Sequence, residues 1–327
     1  QKWQYQLLLA KSLSYSTAQQ TKLKNSTEIP ADDLLSLDIS FGEWLGQQAR
    51  AFIDEHQLEV DYIASHGHTV FHQPERRMTY QIGHGQMLAQ TADVPVVCDF
   101  RTADVLLGGQ GAPLVPIGDQ TLFSEYDFCL NLGGISNVSL DLHGKRIAYD
   151  IGPANMLLNY LSKKIGLAFD RGGRIAKEGT TDQNLLAQLR TLAYYQQPFP
   201  KSLGYEWFVA EIVPIFEVSA LSIQDQLSTA TEHIAEILAQ DILHFNPKDA
   251  QLLVTGGGAL NEHLMMLLQA KVHPYVKIVI PEKSIIEYKE AIIFGLMGAK
   301  RLSGEVNCLA SVTGASQDVI GGRVFYP

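Results

Sequence analysis

At 327 residues the chain exceeds one small domain, and a prior of about 100–200 residues per domain points to two. Apolar residues make up 46% and charged residues 18%, ordinary globular usage, which excludes a disordered or fibrous protein. With 25 Lys and Arg against 35 Asp and Glu, the formal net charge is −10, so the chain as a whole has no footprint for nucleic acid or anionic lipid; a local basic pocket for phosphate remains open.

No apolar run reaches the roughly 18–20 residues of a membrane helix. The start, Gln1-Lys2-Trp3-Gln4-Tyr5, does not read as a signal peptide, since only Leu7-Leu8-Leu9-Ala10 follows as an apolar stretch. Cys98, Cys129 and Cys308 are far apart and sit in apolar sequence, which reads as reduced, buried thiols in a cytoplasmic protein. No internal repeat or low-complexity tract is present.

In chain order, residues 3–16 read as strand, with Tyr5, Leu7, Leu9, Leu13 and Tyr15 spaced to suit. Residues 32–56 carry Phe41, Trp44, Leu45, Ala49 and Phe52 at helical spacing. A short strand at 60–65 runs into the polar loop His66-Gly67-His68-Thr69, and another at 94–98 ends at Asp99-Phe100-Arg101. Polar residues just past the C-terminal end of a strand are where α/β proteins place ligands. Residues 126–130, 135–142 and 146–150 form an antiparallel meander joined by Asn131-Leu132-Gly133-Gly134 and His143-Gly144-Lys145. Gly152-Pro153 is expected to open a helix with Met156, Leu157, Tyr160 and Leu161 on one face, ending at Gly166. A strand–turn–helix unit follows: Leu252-Leu253-Val254, then Thr255-Gly256-Gly257-Gly258, then a helix over 259–270. The last helix, about 289–302, is apolar on one side and holds Glu290 near its start.

Three glycine-rich turns carry the first hint of chemistry. Gly133 and Gly134 lie between two strands, where missing side chains let backbone N–H groups approach an anion, or where a tight hairpin simply needs glycine. Gly256, Gly257 and Gly258 lie between a strand and a helix, where free N–H groups and the positive dipole end favour phosphate. Gly108-Gly109-Gln110-Gly111 is a third flexible loop. None is a Walker A loop or a dinucleotide fingerprint. Asp150 closes a strand and is either a general base or a cap for the next helix. Arg101 suits an organic carboxylate, or else pairs with Asp99 or Asp104. His66, His68, His72 and His84 are poorly spaced for zinc and read better as loop residues, so metal ligands are unknown. In the loop that begins at Lys201, Trp207 and Phe208 read as core.

Taken in order, these motifs resemble anhydro-N-acetylmuramic acid kinases, sugar kinases of the actin, hexokinase and Hsp70 ATPase superfamily. The match from about Ser65 onward is carried by Ser65-His66-Gly67-His68-Thr69, Asp99-Phe100-Arg101, Gly109-Gln110-Gly111-Ala112-Pro113, the turn from Asn131 to Asn137, and Asp150-Ile151-Gly152-Pro153-Ala154-Asn155. It continues through Pro200-Lys201-Ser202-Leu203-Gly204, the turn from Thr255 to Asn261, Lys289-Glu290-Ala291 and Val312-Thr313-Gly314-Ala315. The resemblance implies an actin-like, ribonuclease H-like α/β fold with mixed sheets, in two lobes around a cleft: 1–125 with about 288–327, and 126–287. It implies hydrolysis of the 1,6-anhydro ring with phosphorylation at O6, using ATP and Mg²⁺, in peptidoglycan recycling and amino sugar catabolism. Asp150 would be the base and Glu290 its helper. His66, Thr69 and Arg101 would face the sugar. Gly133, Gly134, Asn137, Gly152, Asn155, Gly256, Gly257, Gly258 and Asn261 would hold ATP. Nucleic acid and membrane are not expected as partners, and a homodimer is left open.

The chain departs from the family pattern at His68, where Gln is usual, and at Asn159, where Asp is usual. The family's opening phosphate hairpin, Gly-Thr-Ser-Leu-Asp-Gly, has no counterpart, since the first glycine is Gly42. Either the chain as given starts after that hairpin, the favoured reading, or half the phosphate grip is lost. As given it is expected to be catalytically poor. Another superfamily sugar kinase, or a non-catalytic nucleotide-dependent binding or chaperone-like protein, are the alternatives.

Overall fold

The computed structural model describes residues 2–327. The chain forms two compact units: one runs to Leu122 and includes Glu290–Pro327, the other is Phe123–Lys289. In chain order the strands are β1 (Ile63–Ala64), β2 (His68–Gln73), β3 (Met78–Ile82), β4 (Val96–Cys98), β5 (Phe128–Leu132), β6 (Ile135–Leu142), β7 (Lys145–Pro153), β8 (Ala250–Thr255), β9 (Val276–Val279) and β10 (Arg323–Phe325).

The first unit holds a three-stranded sheet, β1-β4-β10, and the separate hairpin β2–β3. Helix Ala31–His56 packs beside helix Gly85–Ala92. At Gly42 and Gly46 an added Cβ would lie 2.7 Å from the His84 carbonyl and 2.6 Å from the Thr91 side chain, so only glycine permits this approach. Residues 3–16 form no strand. The segment is largely exposed and is tied down by side chains instead: Trp3 to Glu305 at 2.9 Å, Lys11 to Glu55 at 2.7 Å, and Tyr15 against Trp44. Alternating apolar residues make a strand only where they pair with an edge, and this segment pairs with none.

In the second unit the sheet order is β7-β6-β5-β8-β9. β6 runs antiparallel to β5 and β7, while β5, β8 and β9 are parallel. This order, with the second strand antiparallel to the other four, is ribonuclease H-like. Phe128, Leu130 and Leu132 on β5, with Leu252, Leu253 and Val254 on β8, are all buried, as expected of strands covered on both faces. Helix Ile223–His244 lays Leu227, Ala230, Ile234, Leu238 and Ile242 into the core at helical spacing.

Two boundaries differ from expectation for local reasons. β7 continues through Pro153, so the helix begins at Asn155, with Ala154 at its N-cap. An edge strand tolerates proline because no ladder donor is needed there. The glycine run is followed by a 3-10 turn, Gly257–Leu260, before helix Glu262–Val272, capped by the Asn261 side chain on Leu264 N at 3.0 Å. The last helix starts early, as Lys283–Leu302.

His233, on the long helix, is buried and bonds the Tyr195 hydroxyl at 3.0 Å, and burial pushes its imidazolium down to about 4 from 6.5. Between these values the unfolded chain takes up a proton that the folded one refuses. His233 therefore contributes stability that is complete above about pH 6.5 and lost on acidification, by up to about 1.4 kcal/mol per pH unit. Urea unfolding of His233→Gln at pH 7, 6 and 5 should show a shallower loss than wild type; an identical slope would assign the acid sensitivity elsewhere.

Candidate active site

The carboxyl ends of the parallel strands β5 and β8 lie side by side, with Asn131 paired to Thr255. The two glycine turns leave from these ends and touch. At Gly256, with φ +79°, a Cβ would lie 2.7 Å from both Asn131 Oδ1 and the Leu132 carbonyl. At Gly258 it would lie 2.6 Å from Leu132 Cβ. Both are glycines because of turn geometry and packing. Gly133, Gly134 and Gly257 differ. None has positive φ, and a Cβ on any of them would meet nothing closer than 3.5 Å. Neither the backbone conformation nor a neighbouring atom demands glycine at these three positions.

Asn155 bridges the turns, its Nδ2 donating to the Leu132 carbonyl at 3.0 Å. The Asn155 amide donates to the Gly133 carbonyl at 3.1 Å, and the Ala154 and Met156 amides to that of Gly134 at 2.8 and 3.0 Å. The hairpin is thus clamped to the start of helix Asn155–Lys163.

Asp150 reaches the same region through a break in register. Ser136 pairs with Gly152, but Asn137 pairs with Asp150, leaving Ile151 as an extra residue on β7. Side chains of paired residues share a face, so Asp150 and Asn137 project together beside the Gly133-Gly134 turn. The Asp150 carboxyl is half-buried. Its Oδ2 accepts the Leu203 amide at 2.9 Å and the Ser202 hydroxyl at 3.3 Å, while Oδ1 has no partner among the described residues. Burial raises its pKa above the usual aspartate value, and the two donors oppose that rise. It caps no helix: the helix that follows has no side-chain cap.

In the first unit, Arg101 Nε donates to His66 Nε2 at 2.9 Å and Nη1 to the Gly111 carbonyl at 2.5 Å. His66 Nδ1 lies 3.0 Å from the Gly67 carbonyl, which can only accept. The ring therefore donates through Nδ1 and accepts through Nε2, which is the neutral tautomer. Burial first, and then the Arg101 cation, hold His66 below its ordinary pKa; Glu290, near the start of helix Lys283–Leu302, pulls the other way. Burial lowers the Arg101 pKa as well, and Glu290 opposes. His66, Arg101 and Glu290 thus share one electrostatic neighbourhood.

A profile of the anhydro-N-acetylmuramic acid kinase family matches residues 3–327. The protein of that name from Aliivibrio fischeri is 34% identical over 98% of this chain and 88% of its own length. That from Shewanella amazonensis is 37% identical over 85% and 77%. The chain belongs to the anhydro-N-acetylmuramic acid kinase family. Among solved structures, a ROK hexokinase from Thermus thermophilus covers 79% of this chain and 86% of its own at 14% identity, with a TM-score of 0.36.

The structure gives several of the residues singled out in the sequence local roles of their own. Gly152 is buried, and a Cβ there would meet Ile237 Cδ1 at 2.6 Å and Tyr195 at 3.1 Å, so its glycine serves packing. Asn261 is 7% exposed and spends its side-chain oxygen on the helix cap. Thr69 is exposed on β2, not in a loop, and receives only a long bond from Gln81 at 3.4 Å. Arg101 is not set for a symmetric fork, because Nε and Nη1 are engaged and only Nη2 is free of partners among the described residues. His84 caps helix Gly85–Ala92. Residue type did not reveal Ser202 and Leu203, the Asp150 partners, because a backbone amide has no sequence signature; the run Pro200-Lys201-Ser202-Leu203-Gly204 was the one pointer to that loop.

Replacing Arg101 with Gln removes the cation that helps to keep His66 neutral. NMR titration of Arg101→Gln should show the His66 titration moved upward, whereas an unmoved titration would mean that burial alone sets it.

Proposed function

We propose that the protein is an anhydro-N-acetylmuramic acid kinase: it opens the 1,6-anhydro bridge with water and phosphorylates O6 from ATP, giving N-acetylmuramic acid 6-phosphate and ADP. The observation that carries this is Asp150: a half-buried carboxylate with one oxygen held and the other without a partner among the described residues, on the sheet whose carboxyl ends bear three glycines the fold itself does not require. Asp150 takes a proton from water as its oxygen attacks the anomeric carbon. The C1–O6 bond breaks, and O6 forms its bond to the γ-phosphorus as the bond to ADP breaks. Burial makes Asp150 a stronger base than a surface aspartate.

The bare backbone at Gly133, Gly134 and Gly257, with Asn137 and Asn155, would receive the phosphates. Arg101, through Nη2, would meet the lactyl carboxylate of the sugar, and Glu290 would position the water or the sugar. His66 keeps Arg101 oriented by accepting from Nε, which places it behind the guanidinium in a supporting role. Mg²⁺ is expected with ATP. No three His, Cys, Asp or Glu among the described residues gather to hold a metal, and no step is assigned to the ion. Among the described residues no helix is long and apolar enough to cross a membrane. A cytoplasmic role in recycling cell-wall amino sugars suits this substrate.

Full-length protein incubated with the anhydro sugar, ATP and Mg²⁺ in ¹⁸O-water should place label at the anomeric carbon. Asp150→Asn should lose roughly 10²-fold or more in rate, a typical general-base contribution. The variant should melt no lower than wild type, because a carboxylate whose pKa is raised by burial costs stability while ionised, a cost that disappears only as pH falls. Phosphorylated product without label would indicate an ordinary hydroxyl kinase, and near-normal activity of the variant would exclude Asp150 as base.

A further inference from the structure

β7 is an edge strand, and the backbone groups of Asp150 turn away from β6. Its amide donates to the Lys201 carbonyl at 3.0 Å, and its carbonyl accepts the Tyr194 hydroxyl at 2.8 Å. Together with Ser202 and Leu203 on Oδ2, the segment 194–203 grips this one residue at amide, carbonyl and carboxylate. The segment is itself braced. Lys201 Nζ donates to the Tyr194 carbonyl at 3.4 Å and stands 4.9 Å from the centre of the Tyr194 ring. Tyr194 packs against Trp207, Tyr195 bonds His233, and Phe199 stacks on Tyr149.

An exposed strand edge calls for cover of its backbone groups. Cover alone does not call for two donors converging on a single carboxylate oxygen. We infer that segment 194–203 is a positioning strap for Asp150, in which Ser202 and Leu203 occupy Oδ2 so that proton transfer falls to Oδ1. The inference rests on Asp150 being the base. The groups around it are Tyr194, Ser202 and Lys201 on the strap and Tyr149 next to it on β7. Asp241 on helix Ile223–His244 bonds Tyr149 at 2.6 Å and acts electrostatically on Tyr194 and Lys201. Among the described residues, only the Ser202 and Leu203 donors touch the carboxylate itself.

The test is a carboxyl-¹³C aspartate NMR titration of the protein, with the Asp150 signal assigned by its loss in Asp150→Asn. Ser202→Ala removes a donor to the charged form, so the Asp150 titration should move up by about half a pH unit, and Ser202→Thr should restore it. In turnover the acid limb of kcat should move the same way, with KM for the sugar changed less than about two-fold. Tyr194→Phe keeps the ring packing and loses only the hold on the carbonyl; kcat should fall about ten-fold with KM and Tm nearly unchanged. If Ser202→Ala leaves the titration and acid limb unmoved and Tyr194→Phe turns over normally, while Asp150→Asn is inactive, the segment merely covers an edge and the inference is overturned. An active Asp150→Asn would instead overturn the assignment of the base itself.

Discussion

One extra residue in one strand governs the candidate active site. Because side chains alternate across a sheet, a slip of a single position moves every following group to the opposite face. At Ile151 the slip is absorbed locally. Gly152 still pairs with Ser136, and Asp150 pairs with Asn137 instead of standing one place out. Tyr149 and Ile151 go into the core at 5% and 1% exposure, while the acid between them stays half in solvent. Since β7 lies at the sheet edge, the backbone of the same residue is free to be held from outside. The bulge thus sets both the direction of the carboxylate and its dependence on a remote segment of chain.

In the first unit the organising contact is also polar. Asp104 is fully buried, and its carboxylate accepts from Gly111 N at 2.7 Å, Thr313 Oγ1 at 2.6 Å and Cys308 Sγ at 3.2 Å. A buried carboxylate is tolerable only when it is hydrogen-bonded in this way. The same Gly111 offers its carbonyl to Arg101, so the guanidinium is oriented by a loop that Asp104 holds in place. Adding a Cβ at Gly109 would put it 2.2 Å from Asp104 Oδ2, which explains that glycine without any ligand. Asp104 is therefore no partner for Arg101, as one sequence reading allowed. It sits one step behind, shaping the loop that supports the cation.

The sequence disclosed what depends on residue type and spacing. The meander, the strand–glycine–helix unit and the long amphipathic helices follow from periodicity, and the family followed from motifs in a fixed order. What it hid depends on neighbours. The strand expected over residues 3–16 is absent because no edge receives it, and a helix expected at Gly152 begins later because an edge strand accommodates Pro153. Glycine is the clearest example, since one letter covers three situations. Gly256 answers to positive φ, Gly152 and Gly258 to packing, and Gly133, Gly134 and Gly257 to neither. Composition treats them alike, and only coordinates separate them. Likewise the Asn261 side-chain oxygen caps a helix, a role with the same residue preference as the ligand role the sequence suggested.

A base for this chemistry faces two opposed demands. It must be ionised near neutral pH, and it must also hold a proton once water gives one up. An aspartate in bulk water meets the first demand easily and the second poorly. Burial shifts the balance by withdrawing solvent from the charge, and unchecked burial would leave the carboxyl protonated and useless as a base. Asp150 lies between these extremes: solvent is partly withdrawn, and two donors from the strap return part of the lost stabilisation to one oxygen. Placing both on Oδ2 also separates two jobs that would otherwise compete for the same lone pairs, since a fully solvated carboxylate shares its hydrogen bonds over both oxygens. The remaining penalty for an ionised, half-buried acid is borne by the rest of the fold, chiefly the two-faced apolar packing around β5 and β8, which has no part in the chemistry. On the proposal that Asp150 is the base, its activity would thus be sustained by a core that tolerates an unfavourable charge at its edge.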